Sequence, residues 1–179
     1  MLWGPQMTPA ELKDLIRTVP DFPKAGILFR DITTLIGHGP GLAATIDHLA
    51  ARASAADAQA IAGIEARGFI FGAAVAAKLA LPFVPVRKPG KLPAARQSVE
   101  YSLEYGESRL DIHEDALGRG TRTLIVDDLL ATGGTALAAA KLVEIIGGEV
   151  AGLAFAIELT ALGGRGRLSG YRVASVITY

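Results

Sequence analysis

Residues 124–135 read LIVDDLLATGGT: an apolar strand ends in two carboxylates, Asp127 and Asp128, and passes through Ala131, Thr132, Gly133 and Gly134 into a helix near Thr135. Glycines let several backbone N–H groups converge in a tight turn. The helix N-terminus adds partial positive charge, and the threonine hydroxyls add donors. This combination makes a cradle for a phosphate monoester, with two acids placed to accept hydrogen bonds from the hydroxyls of an attached sugar. The plainer alternative is an ordinary strand-to-helix turn whose acids cap the helix. A nucleotide-triphosphate loop would carry lysine after its second glycine, and a dinucleotide site would carry G-x-G-x-x-G; neither pattern is present.

The elements that must hold this turn alternate along the chain. Strand-like runs at 61–66, 81–87, 121–130, 149–159 and 171–179 are near-continuously apolar, and helical patterns occupy 71–80 and 136–148. Apolar strands joined by helical crossovers predict a doubly wound α/β fold: a mainly parallel central sheet flanked by helices. Ligands in such sheets bind at the carboxyl ends of strands, which points to the turns after 61–66, 81–87 and 121–130. Upstream, Thr8, Pro9 and Glu11 form an N-terminal helix signal, with Leu12, Leu15, Ile16 and Val19 at helical spacing; a second helical pattern covers 41–53. Residues 88–106 are polar and lack clear periodicity, which predicts a mobile loop.

The 179 residues, half of them hydrophobic, suit a single domain. Eighteen basic and eighteen acidic side chains cancel, so no global field favours nucleic acid and any anion site is local. The absence of cysteine excludes disulfides and thiolate metal sites and fits a cytoplasmic setting. Lys78, Pro82 and Pro85 interrupt the most apolar long stretch, 70–86, and the start of the chain has no signal-peptide pattern, so no membrane association is expected. His38, His48 and His113 share no ligand-like spacing.

The 124–135 segment resembles the signature of type I phosphoribosyltransferases, in the form seen in the adenine-specific members. DFPKAGILFRDIT (21–33), GIEARGFIFG (63–72), RKPGKLP (87–93) and YSLEYG (101–106) resemble the same family in its order, so the similarity spans most of 21–135. It implies a type I fold over 1–179, with a small base-binding hood from about 1–35 and a flexible lid over 88–106. The implied activity is transfer of phosphoribosyl from 5-phosphoribosyl-1-pyrophosphate to N9 of adenine, giving AMP and pyrophosphate. Two alternatives stay open, a transferase for a 6-oxopurine and a non-catalytic sensor of the sugar donor.

The resemblance also assigns roles. Ala131, Thr132, Gly133, Gly134 and Thr135 hold the 5-phosphate, and Asp127 and Asp128 meet the ribose. Mg2+ then arrives on the donor's own oxygens, with no protein cage. Arg67, Arg87, Lys88 and Lys91 neutralise pyrophosphate, some of them across a homodimer, and a cis peptide falls near 65–67. Ala66 stands where many relatives have serine. Leu28, Phe29, Arg30 and Leu129 form the adenine site. Glu104, between the lid residues Tyr101 and Tyr105, manages the purine proton, with Glu100 as a second candidate. Read without the family, Arg67 is also compatible with a surface turn, Phe29 with a core ring and the basic run with a solvated loop.

Overall fold

A computed structural model describes residues 7–102 and 107–179. Its centre is a five-stranded parallel sheet in the order β4-β3-β7-β8-β9. The strands are β3 (Ala60–Ile64), β4 (Phe83–Val86), β7 (Arg122–Leu130), β8 (Glu149–Glu158) and β9 (Val173–Thr178). From β3 the chain steps outward to β4, then returns past β3 and builds β7, β8 and β9 on the other side. The direction of winding therefore reverses between β3 and β7, and the crevice at their carboxyl ends is where such a sheet binds ligands.

Strand alternation divides the interior into two cores. Ile61, Leu124, Val126 and Ala154 face α3 (Gly39–Ala55) and α4 (Gly68–Leu79). Ala62, Ile125, Leu153 and Phe155 face α5 (Gly134–Ile145). This second core is also covered by an antiparallel pair, β5 (Arg96–Ser102) and β6 (Glu107–His113), which contributes the buried Leu110 and Ile112.

That hairpin corrects the loop expected over 88–106. Gln97, Val99 and Tyr101 alternate with Arg96, Ser98 and Glu100, a half-buried strand pattern too short and too polar to stand out in the sequence. The tip at 103–106 lies outside the described residues, and the lid assignment there with it.

A second correction concerns the first helix. α1 (Pro9–Asp14) has the expected capping box, the Thr8 amide donating to Glu11 at 2.7 Å and the Glu11 amide to the Thr8 hydroxyl at 3.3 Å. It does not continue to Val19, because Arg17–Pro20 is strand β1, paired antiparallel with β2 (Leu28–Asp31) with Val19 opposite Phe29. Thr18, Val19 and Pro20 disfavour helix, and pairing decides. This ribbon, followed by the short α2 (Thr33–Gly37), stands apart from the main sheet.

Candidate active site

The cradle forms where β7 ends. Gly133 takes φ +82°, and a side chain there would meet the Gly164 carbonyl oxygen at 2.5 Å, so glycine is required both by conformation and by space. No side chain caps α5, which leaves its first amides facing a cleft of about 480 Å³. Ala131, Thr132, Gly133, Gly134 and Thr135 all line that cleft, as do Asp127, Asp128 and Leu129.

The two aspartates differ in their surroundings. The Asp128 carboxylate is buried and accepts from Arg67 Nε at 2.5 Å. Among the described residues no cation comes so close to Asp127; burial, and then the negative charge of Asp128, push its carboxyl well above the ordinary aspartate range. Gly68 lets α4 close onto this strand end, since a side chain there would lie 2.7 Å from Asp127 Oδ1.

Across the cleft the chain leaves β3 through Glu65, Ala66 and Arg67, with a cis peptide between Glu65 and Ala66. Glu65, which the sequence reading named only for the cis peptide expected near 65–67, organises the basic segment. It accepts from the Lys88 amide at 3.0 Å and from Arg87 Nε at 3.1 Å. Burial opposes its ionisation, but the Lys88 amide, the Arg87 guanidinium and the Lys91 charge outweigh burial and hold it below the usual glutamate value. Lys88 lines the cleft. Arg87 does not: its cation is turned to Glu65 and to the Lys91 carbonyl oxygen, and Lys91 is exposed outside the cleft.

Tyr101 reaches the cleft wall from β5, joined by Ser108 and Leu110 of β6, which the sequence reading did not single out. Glu100 lies on the hairpin opposite Arg109 and outside this cleft. Glu104 and Tyr105 lie outside the described residues.

A second cavity, about 370 Å³, lies under the β1–β2 ribbon and is lined by Val19, Phe22, Phe29, Asp31, Ile32, Thr33 and Arg67. Phe22 meets Phe29 edge-on with ring centroids 5.1 Å apart. Strand alternation sends Phe29 and Asp31 into the cavity and Leu28 and Arg30 away from it: Leu28 is exposed, and Arg30 donates to the Thr18 hydroxyl and covers the Tyr179 ring at 4.0 Å. Arg17 first, then the Thr33 hydroxyl and amide, lower the Asp31 carboxyl to about 2. Of the four residues expected at adenine, the structure thus puts Phe29 here and Leu129 in the neighbouring cleft. Phe22, Val19 and Thr33 were given no role there; Phe22 and Thr33 lie within the 21–33 motif, and Val19 reaches the cavity as the cross-strand partner of Phe29.

Arg67 lines both cavities. The pair can therefore hold an anionic sugar phosphate in one compartment and a flat apolar ring in the other, with one guanidinium at the junction.

Residues 33–174 match the phosphoribosyl transferase domain family. The chain is 62% identical over 164 residues to an adenine phosphoribosyltransferase of Novosphingobium aromaticivorans, covering 92% of each. A crystal structure of adenine phosphoribosyltransferase from Thermoanaerobacter pseudethanolicus superposes with TM-score 0.92 at 52% identity, covering 96% of this chain and all of that one. The Saccharomyces cerevisiae adenine phosphoribosyltransferase, solved with an imino-altritol bisphosphate and adenine, matches at TM-score 0.89 and 37% identity over 94% of this chain and 97% of that one.

Proposed function

Since this chain belongs to the phosphoribosyl transferase family, we infer that it transfers the 5-phosphoribosyl group of phosphoribosyl pyrophosphate to N9 of adenine, releasing pyrophosphate and AMP. It is a pentosyl transferase of purine salvage. One observation carries the reading: Arg67 stands between a phosphate cradle with two carboxylates and an aromatic-lined cavity roomy enough for a nucleobase.

The 131–135 amides and hydroxyls hold the 5-phosphate, and Asp127 and Asp128 accept from the ribose hydroxyls. Breaking the anomeric bond leaves positive charge on the ribose ring, as in other glycosyl transfers, and the carboxylate pair lies beside it. Arg67 and Lys88 offset the charge of the departing pyrophosphate. Phe29, with Phe22 at its edge, orients the ring so that N9 faces the anomeric carbon. Magnesium belongs to this reading as a passenger on the donor's oxygens, where it would supply further charge neutralisation in the cleft that Asp127 and Asp128 line. Glu104 is assigned the purine proton by family resemblance.

A homodimer belongs to the proposal too, since Lys91 is exposed and does not line the cleft of its own chain, which leaves it free to serve a neighbouring subunit. Among the described residues no helix is long and apolar enough to cross a membrane, and the cysteine-free chain suits the cytoplasm.

The test is turnover with phosphoribosyl pyrophosphate and magnesium, with adenine, guanine, hypoxanthine and xanthine offered separately. AMP from adenine alone is the expected result. Product from a 6-oxopurine would refute the base assignment, and donor binding without product would turn the chain into a sensor.

A further inference from the structure

Glu158 is a buried carboxylate that the transfer reaction does not use. It ends β8, paired in register with Leu130, the residue just before the phosphate loop. Its oxygens accept from Arg165 Nε at 3.0 Å and Nη2 at 2.5 Å, and from the Ser175 hydroxyl at 2.6 Å. Arg165 also donates to the Val173 carbonyl oxygen at 2.8 Å, so its guanidinium is tied to both β8 and β9.

The segment that Arg165 belongs to is poor at holding itself in place. α6 (Gly164–Arg167) is four residues long, and Gly163, Gly164 and Gly166 fall in or beside it. Such a turn has almost no intrinsic helical stability. Yet it lies directly under the cradle: a side chain on Gly164 would run into the Ala131 carbonyl and come within 3.0 Å of the Gly133 amide nitrogen, and the Gly133 turn leans in return on the Gly164 carbonyl. Any displacement of Gly164 therefore passes to the amides that receive the phosphate.

We propose that Glu158 and Arg165 are positioning residues for the sugar donor: their two-pronged ion pair fixes the glycine turn that forms the floor of the phosphate loop. The proposal rests on the reading of the large cleft as the phosphoribosyl site. It adds two residues that touch no substrate but set its affinity, and it confines their effect to one of the two substrates. The hood cavity lies on the far side of Arg67 and shares no residue with this floor.

The experiment measures ribose 5-phosphate affinity by calorimetry and KM for each substrate, in the parent, Arg165→Ala, Arg165→Lys and Glu158→Gln. Ribose 5-phosphate carries neither base nor pyrophosphate, so it reports on the cradle. Arg165→Ala should weaken its binding and raise the donor KM by about tenfold, the scale of one charge-assisted contact. The adenine KM should stay within about twofold, and Arg165→Lys, which keeps the charge but loses the fork, should recover part of the loss. Should Arg165→Ala fail to fold, Glu158→Gln, equal in shape, carries the same test. Unchanged ribose 5-phosphate affinity in a folded variant, or equal rises in both KM values, overturns the proposal. A parent protein that does not bind ribose 5-phosphate overturns the reading of the cleft itself.

Discussion

Asp127 and Asp128 are neighbours in sequence, but the close ion pair with Arg67 belongs to Asp128. Asp128 has the guanidinium at 2.5 Å, while burial first and then the charge of Asp128 push the Asp127 carboxyl well above its ordinary range. A raised carboxyl binds more protons folded than unfolded between the ordinary aspartate value and its own, so unfolding free energy falls as pH climbs through that window. In the ligand-free protein Asp127→Asn should therefore flatten the fall in melting temperature from about pH 4 upward, while abolishing most turnover. Parallel melting curves for parent and variant would contradict this. A second expectation at this scale concerns Glu104: Glu104→Gln should lower kcat more than it changes either KM, and an unaltered kcat would remove Glu104 from the mechanism. The acids and glycines of 127–135 were legible because chain neighbours build that half of the site. Glu65, which gathers Arg87 and the Lys88 amide from more than twenty residues away, was not, since only the pairing of β3 with β4 brings them together.

Two short elements make the site asymmetric, and both were misread from periodicity for the same reason. Leu12, Leu15, Ile16 and Val19 fit a helical face, but Val19 belongs to a strand whose partner lies at Phe29. In the same way 96–102 reads as polar loop until β6 supplies the other half of its ladder. Ribbons of four to seven residues have too few positions to establish a period, and their stability comes from a partner distant in sequence. The β1–β2 ribbon carries the aromatic pair that closes the hood cavity. Phe22→Ala removes an edge-to-face contact of roughly 0.5–1.5 kcal/mol, so the adenine KM should rise about two- to tenfold. The ribose 5-phosphate affinity should stay at the parent value, because Phe22 does not line the large cleft. A matching loss in both ligands would mean that the ribbon supports the whole site rather than the base alone.

The main sheet was legible at the level of the whole molecule because its central strands β3, β7 and β8 are largely buried on both faces and read as near-continuous apolar runs, and their alternation with helices fixes parallel pairing. What the chain order could not convey is how the hood is moored to that sheet. The Tyr179 ring does this: Arg30 of β2 lies over it at 4.0 Å, Lys13 of α1 approaches to 4.3 Å, and Lys13 also donates to the Thr178 carbonyl oxygen at 2.6 Å. Two cations on one ring, each worth about 0.5–1 kcal/mol at a partly exposed site, make this clasp a small fraction of total stability but a large part of what restrains a two-stranded ribbon. Tyr179→Ala should therefore speed amide exchange in Arg17–Pro20 and Leu28–Asp31 by roughly five- to thirtyfold. The amides of β3 and β7 should stay far slower in absolute rate and quicken by no more than the same factor, because they exchange through global unfolding, which the lost clasp also eases. The adenine KM should rise with hood mobility, and Tyr179→Phe, which keeps the ring, should restore both. Unchanged exchange in the two ribbon strands would mean that Tyr179 does not hold the hood, and the contacts of α1 and α2 would then have to do so.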